Sequence, residues 1–149
     1  MEKIYDLQRF IDAQNNGESY EQALSEIKAG RKKSHWIWYI FPQLKELGFS
    51  RRAKFYGIED INEAKEYLNH EVLGTRLIEI SQALLNLEDN NPRFVMGGYP
   101  DDMKLKSCMT LFACISENDS VFHRVLKKFF NSEMDNDTLK ILEDSQLAQ

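Results

Sequence analysis

Along most of this chain apolar residues recur in steps of three and four, and strand-like alternation is scarce. That spacing belongs to helices that bury one face. The clearest case is residues 71–87, where Leu73, Leu77, Ile80, Leu84 and Leu87 fall on one stripe. Ile4, Leu7, Phe10 and Ile11 predict a first helix over about residues 4–14, stopped by Asn15, Asn16 and Gly17. Ser19 opens a second, with Gln22 in the capping-box position, Ala23, Leu24 and Ile27 as its stripe and Gly30 as its end. Asp60 caps a helix carrying Ile61, Ala64 and Leu68, with Glu63 completing the box. Leu105, Cys108, Met109, Phe112 and Ile115 predict a helix over about residues 101–115. Val121, Val125 and Phe129 predict another, and Asp135 starts the last, with Leu139 and Leu142. The polar tail after 142 is expected to fray. Residues 44–58 read as a loop with one helical turn at 50–55, and 88–102 as a loop, because Asn, Pro and Gly interrupt them.

One stretch resists this reading: "GRKKSHWIWYIFPQ", residues 30–43. Its aromatic and β-branched block favours a strand by propensity. No other segment offers a partner, and a lone strand leaves its backbone groups unpaired. We therefore expect a short buried helix over about residues 33–41, closed by Pro42. On that helix Ser34, Ile37, Trp38 and Phe41 share a face, His35 and Tyr39 a second, and Trp36 and Ile40 a third. Trp38 then belongs to the core. The expected fold class is all-α: a compact single-domain bundle of about seven to eight helices over residues 1–149.

Composition agrees with a packed domain. The 149 residues are 42% hydrophobic and 29% charged, unlike a disordered chain. No apolar run approaches the roughly 18 residues of a membrane span. The start, "MEKIYDLQRF", lacks the apolar region of a signal peptide. A cytoplasmic protein with no membrane association is expected. Cys108 and Cys114 match no zinc spacing and read as reduced core thiols. His35, His70 and His123 each lack a second ligand at metal spacing, so no metal or cofactor is expected.

Charge changes the picture more. The net charge of −5 argues against general nucleic-acid affinity. Residues 28–54, however, hold eight bases (Lys28, Arg31, Lys32, Lys33, Lys45, Arg51, Arg52, Lys54) and one acid, Glu46. That window is +7 and the remainder −12. The bases are either solvated surface or a local anion site. Lys104 and Ser107 share one face near the start of a predicted helix, where free amides favour an anion; equally, they flank an amphipathic stripe. Asp101 and Asp102 read as N-terminal caps, and a catalytic carboxylate is the other use of Asp101. His35 is either a proton donor beside cationic neighbours or a hydrogen-bonded residue at a helix start. Gln43 either caps backbone groups or reads a ligand. Arg76 borders the long stripe and needs a carboxylate or an anion beside it.

The segments "RFIDAQ", "AGRKKSHWIWYIFPQL", "YLNHEVLGTRL" and "KLKSCMTLF" together resemble an all-helical bacterial family, domain of unknown function 1810. The resemblance covers nearly the whole chain. Gly30, Arg31, Lys32, Ser34, His35, Trp36, Trp38, Pro42 and Gln43 occupy the positions of its most distinctive motif. The chain departs from the family pattern at Glu71, where Pro usually follows the His, and in the loop Val95 to Pro100. The resemblance implies a multihelical fold and supports a helix at 33–41. It implies no established activity. The label "calpastatin" sometimes attached to the family describes a disordered inhibitor, which this composition is not.

Two functions suit these residues. One is a small hydrolase or binder for an anionic, nucleotide-like or sugar-phosphate-like ligand. Arg31, Lys32 and Lys104 would hold its phosphate, with Arg76 and Ser107 nearby. Trp36 or Tyr56 would stack on a base, and His35 and Gln43 would contact the reacting part. An N-glycosidic or phosphoester bond would then be cut with His35 or Asp101 as acid or base. The other is a noncatalytic module docking an acidic protein or nucleic acid through residues 28–54. A concave pocket favours the first and a flat basic face the second.

Overall fold

Helices carry nearly all the regular structure of residues 3–147, the span described by the computed structural model. They are α1 (Gln8–Asn15), α2 (Ser19–Lys28), α3 (Ile37–Ile40), α4 (Arg51–Phe55), α5 (Ile61–Asn69), α6 (Leu73–Leu85), α7 (Pro92–Val95), α8 (Asp101–Cys114), α9 (Val121–Phe130) and α10 (Asn136–Leu147). The fold is all-α, as the periodicity predicts. None of the described helices is long and apolar enough to cross a membrane. The stripe Leu73, Leu77, Ile80 and Leu84 is buried, as expected. Helix α8 is the hub, touching α3, α5, α7, α9 and α10. Residues 107–113 are buried on every side of it, which is what a central helix requires. An aromatic row runs through the core: Phe10 meets Tyr67 edge-on at 5.0 Å, Tyr67 meets Phe112 at 5.5 Å, and Phe112 meets Phe122 at 5.7 Å.

Local signals set many boundaries. Ser50 Oγ accepts from Ala53 N at 3.1 Å and starts α4. Asp60 accepts from Glu63 N at 2.9 Å and starts α5. Gly30, at φ +97°, ends α2: its N–H reaches Ile27 O at 2.9 Å and Arg31 N reaches Glu26 O at 3.1 Å. That pair of bonds is a left-handed helix stop, open to glycine without steric cost. His70 also serves a helix end, since its Nδ1 accepts from Val72 N and Leu73 N at 3.0 and 3.2 Å.

Other expectations fail for tertiary reasons. Helix α1 starts at Gln8, and Ile4 is 98% exposed. The segment before it is an arm, whose Tyr5 hydroxyl donates to both Asp60 oxygens at 2.7 and 2.8 Å. No capping box forms at α2, because the Ser19 hydroxyl pairs with the Tyr39 hydroxyl at 2.7 Å. The Asn–Pro loop contains α7, started by the Asn91 side chain with Pro92 as first residue. Helix α10 continues past 142 to Leu147, and the last two residues lie outside the described span. Cys108 is buried, but Cys114 is exposed and is not a core thiol.

The largest departure is the aromatic block. Only Ile37–Ile40 is helical; residues 31–36 curl around the carboxylate of Glu26. Glu26 Oε1 accepts from Lys33 N (2.7 Å), Ser34 N (2.9 Å) and Trp36 Nε1 (2.9 Å), and Oε2 from Ser34 Oγ (2.6 Å). A rod starting at residue 33 cannot aim these donors at one point, so a loop around Glu26 replaces the first part of the expected helix 33–41. Partial burial pushes the Glu26 carboxyl up. The bonds from the Ser34 hydroxyl, the Lys33 amide, the Trp36 indole and the Ser34 amide outweigh that and hold it at about 2. Glu26→Gln is therefore expected to cost about 2 kcal/mol at neutral pH. The carboxyl titrates at about 2 when folded and at about 4.5 when free. The stability gap between wild type and variant should thus be full above about pH 4.5 and close as pH falls towards about 2. Urea midpoints of both proteins across that range check it.

Candidate functional site

Pro42 ends α3 and turns the chain into a short parallel pairing of Leu44 with Ile58. Ile58 N donates to Gln43 O at 2.9 Å and Lys45 N to Ile58 O at 2.8 Å. Gly57 permits this approach, since a Cβ there would lie 2.4 Å from Lys45 Cα. The pairing fixes the Gln43 backbone and leaves its side chain facing a cleft of about 530 Å³. The turn 47–50 forms one wall, α8 contributes Met103, Lys104 and Ser107, and Tyr99, Asp135 and Asp137 complete the lining. Asp135 is held there by its N–H, which donates to Thr110 Oγ1 of α8 at 2.9 Å, while its Oδ2 caps α10. Phe49 and Tyr99, 92% and 71% exposed, stand at the cleft as free aromatic rings.

A slot of about 10 Å³ adjoins the cleft and shares Gln43, Ala53 and Lys104 with it. Ile37, Trp38, Phe41 and Tyr56 form the rest. Trp38 is half-buried. The Arg52 guanidinium lies 5.1 Å and the Lys104 ammonium 5.5 Å from its ring centroid, within cation–π range. Neither cation forms an ion pair among the described residues. The slot end is therefore cationic and aromatic, whereas the α10 side of the cleft carries two carboxylates. Burial, and Tyr39 beside it, raise the Tyr56 phenol above its ordinary pKa.

Of the candidates named from sequence, Gln43, Tyr56, Lys104 and Ser107 are brought together here. The others go elsewhere. Lys32 is buried, ion-paired to Asp101 at 2.8 Å, with its ammonium also on Ser34 O. Asp101 is thus neither a helix cap nor a cleft carboxylate; the cap position is Pro100, and Asp102 faces Arg93 at 3.8 Å. Arg31 stacks on Phe94 at 4.8 Å. Arg76 finds a neutral partner in place of the expected charge: it donates to Gln14 Oε1 at 3.1 Å and covers the Tyr20 ring at 5.0 Å. His35 is exposed and lines neither the cleft nor the slot. The two tryptophans exchange roles. Trp36 is 1% exposed, tied to Glu26, and has no face for stacking, while Trp38 walls the slot. The bases of 28–54 do not form one site: Lys32 serves α8, Arg52 serves Trp38, and only Lys45 and Lys54 meet, at a shallow recess with Glu59.

Trp38, Arg52, Asp135 and Asp137 escape sequence reasoning because they meet only through the chain's path. Phe49 carried a signal, an aromatic in the turn Gly48–Ser50 with no helical stripe to join.

Two mutational outcomes follow from this placement. Trp36→Ala should cost about 3–5 kcal/mol and Trp38→Ala about half of that, read from urea denaturation. Lys32→Met should cost about 3 kcal/mol by stranding Asp101, and adding Asp101→Asn should recover about 1 kcal/mol in a double-mutant cycle.

No curated protein matches this chain. The crystal structure of a conserved hypothetical protein from Mycobacterium tuberculosis, Rv1873, is similar to it, with a TM-score of 0.89 and 39% sequence identity. The match covers 93% of this chain and 97% of that one. The family model described as protein of unknown function, DUF1810, matches residues 4–142, and the chain belongs to that family.

Proposed function

We propose that this protein binds a small anionic ligand with a planar, nucleotide-like part in the cleft beside Trp38. The observation carrying this reading is the pair of cations at the Trp38 ring, Lys104 and Arg52, neither with a carboxylate partner among the described residues, Lys104 also lining the cleft and the slot. A protein that orders two such cations over one ring stabilises a negative group brought to them. The cleft, at about 530 Å³, has the size of an ordinary small-molecule site. Gln43 and Ser107 supply orienting polar groups, and Tyr56 and Tyr99 supply aromatic surface. Hydrolysis by the two groups named from sequence loses support, because His35 lies outside the cleft lining and Asp101 is committed to Lys32. Docking of an acidic macromolecule through residues 28–54 is the weaker reading, since Arg31, Lys32 and Arg52 are engaged with Phe94, Asp101 and Trp38.

Thermal denaturation with nucleoside monophosphates and sugar phosphates tests the reading. A true ligand at about 100 times its dissociation constant adds roughly 2.7 kcal/mol to stability and raises the midpoint accordingly. Lys104→Ala should weaken such a ligand about tenfold by calorimetry and leave the unliganded midpoint nearly unchanged. Stabilisation that survives Lys104→Ala undiminished would place the ligand elsewhere.

A further inference from the structure

Trp38 Nε1–H is buried and has no hydrogen-bond acceptor among the described residues. Native proteins rarely leave a buried donor in that state. The contrast lies two residues away, where Trp36 donates the same group to Glu26 at 2.9 Å. The slot that Trp38 lines is about 10 Å³, room for one oxygen-sized atom and too small for a ring. Ile37, Phe41 and Ala53 make part of its wall apolar. Lys104 brings an unpaired ammonium to the same slot, and the Gln43 side chain, free of any hydrogen bond within the described residues, is its further polar wall.

Resting on the binding reading above, we propose that the slot is an oxyanion hook: one oxygen of a phosphate or carboxylate group enters it and accepts the Trp38 indole N–H. Lys104 supplies the countercharge, and the ligand's planar part remains in the wider cleft. Trp38 is then a specificity-determining donor and not a stacking platform. The hook selects ligands by a protruding charged oxygen, and a flat neutral ring gains nothing from it. Phosphate and carboxylate share this chemistry and differ in charge and in the number of oxygens they offer.

The indole region of a nitrogen-15 correlation spectrum reads this directly. The chain has two tryptophans, and Trp38→Phe assigns their signals by deleting one. Phenyl phosphate, benzoate and inorganic phosphate are titrated separately, with thermal denaturation run in parallel. Expected is a downfield move of the Trp38 indole proton, with that of Trp36 unmoved because Glu26 already holds it. Trp38→Phe, which keeps an aromatic ring, should weaken the same probe about tenfold. A stronger response to phenyl phosphate than to benzoate assigns the oxyanion as phosphate, and the reverse as carboxylate. If a probe stabilises the protein while the Trp38 signal stays fixed, and Trp38→Phe binds it as tightly as wild type, the hook is wrong and the cleft reading stands. If no oxyanion probe binds at all, both readings fall.

Discussion

Four hydrogen bonds from the chain after α2 converge on the Glu26 carboxylate, and the arrangement of the functional face depends on them. A carboxylate accepts strongly from several donors at once, and partial burial leaves protein donors as its main partners. The chain after α2 supplies those donors by folding back on itself, Lys33 and Ser34 through their amides and Trp36 through its indole. The curl sends Trp36 inward and leaves Trp38 at the margin. It also delivers Lys32 to the start of α8, where the ammonium meets Asp101. One acidic residue on α2 therefore determines which tryptophan is core and which is available.

The same loop locks α8. Lys32 N donates to Val95 O at 2.7 Å, and Gly97, at φ +79°, packs against Lys32 O, where a Cβ would come within 2.8 Å. Backbone contact, ion pair and glycine turn together hold the first turns of α8, and Lys104 belongs to those turns. Lys104 reaches Trp38 because both ends of the arrangement are tied to residues 32–36. Rigid support of this kind lets a long lysine side chain act as a positioned charge.

The basic window is a lesson in the difference between sequence and space. Eight bases in 27 residues look like one surface. They do not form one surface site, because a loop, a short helix and a buried ion pair intervene between them, although Lys45 and Lys54 share a recess. Lys32 is consumed structurally, Arg31 covers Phe94, and Arg52 alone joins Lys104 at Trp38. Of the two cations at Trp38, 52 positions apart in the chain, Lys104 lines the cleft and the slot, opposite the carboxylates of Asp135 and Asp137.

Features set by near neighbours were legible in the amino-acid sequence. The stripe of α6, the turn at 50–55, the cap at Asp60, the stop at Gly30 and the all-α class each depend on residues within a turn or two, where spacing is geometry. Gln43 reads from the sequence as a polar residue at a helix exit, Lys104 and Ser107 as one helical face and Tyr56 as an aromatic, and they do meet. Their meeting, and the exclusion of Lys32, Asp101, Arg76 and His35, was decided by tertiary structure. A helical wheel for residues 33–41 presumes a rod, and a carboxylate on another helix bends its first part, up to Trp36, into a loop. Once the chain curls, face assignments based on a 100° step no longer hold, and Trp36 and Trp38 change places. Sequence periodicity reports which helices form; the competition of a distant acceptor for backbone and indole donors reports nothing in periodicity, and here it shapes the site.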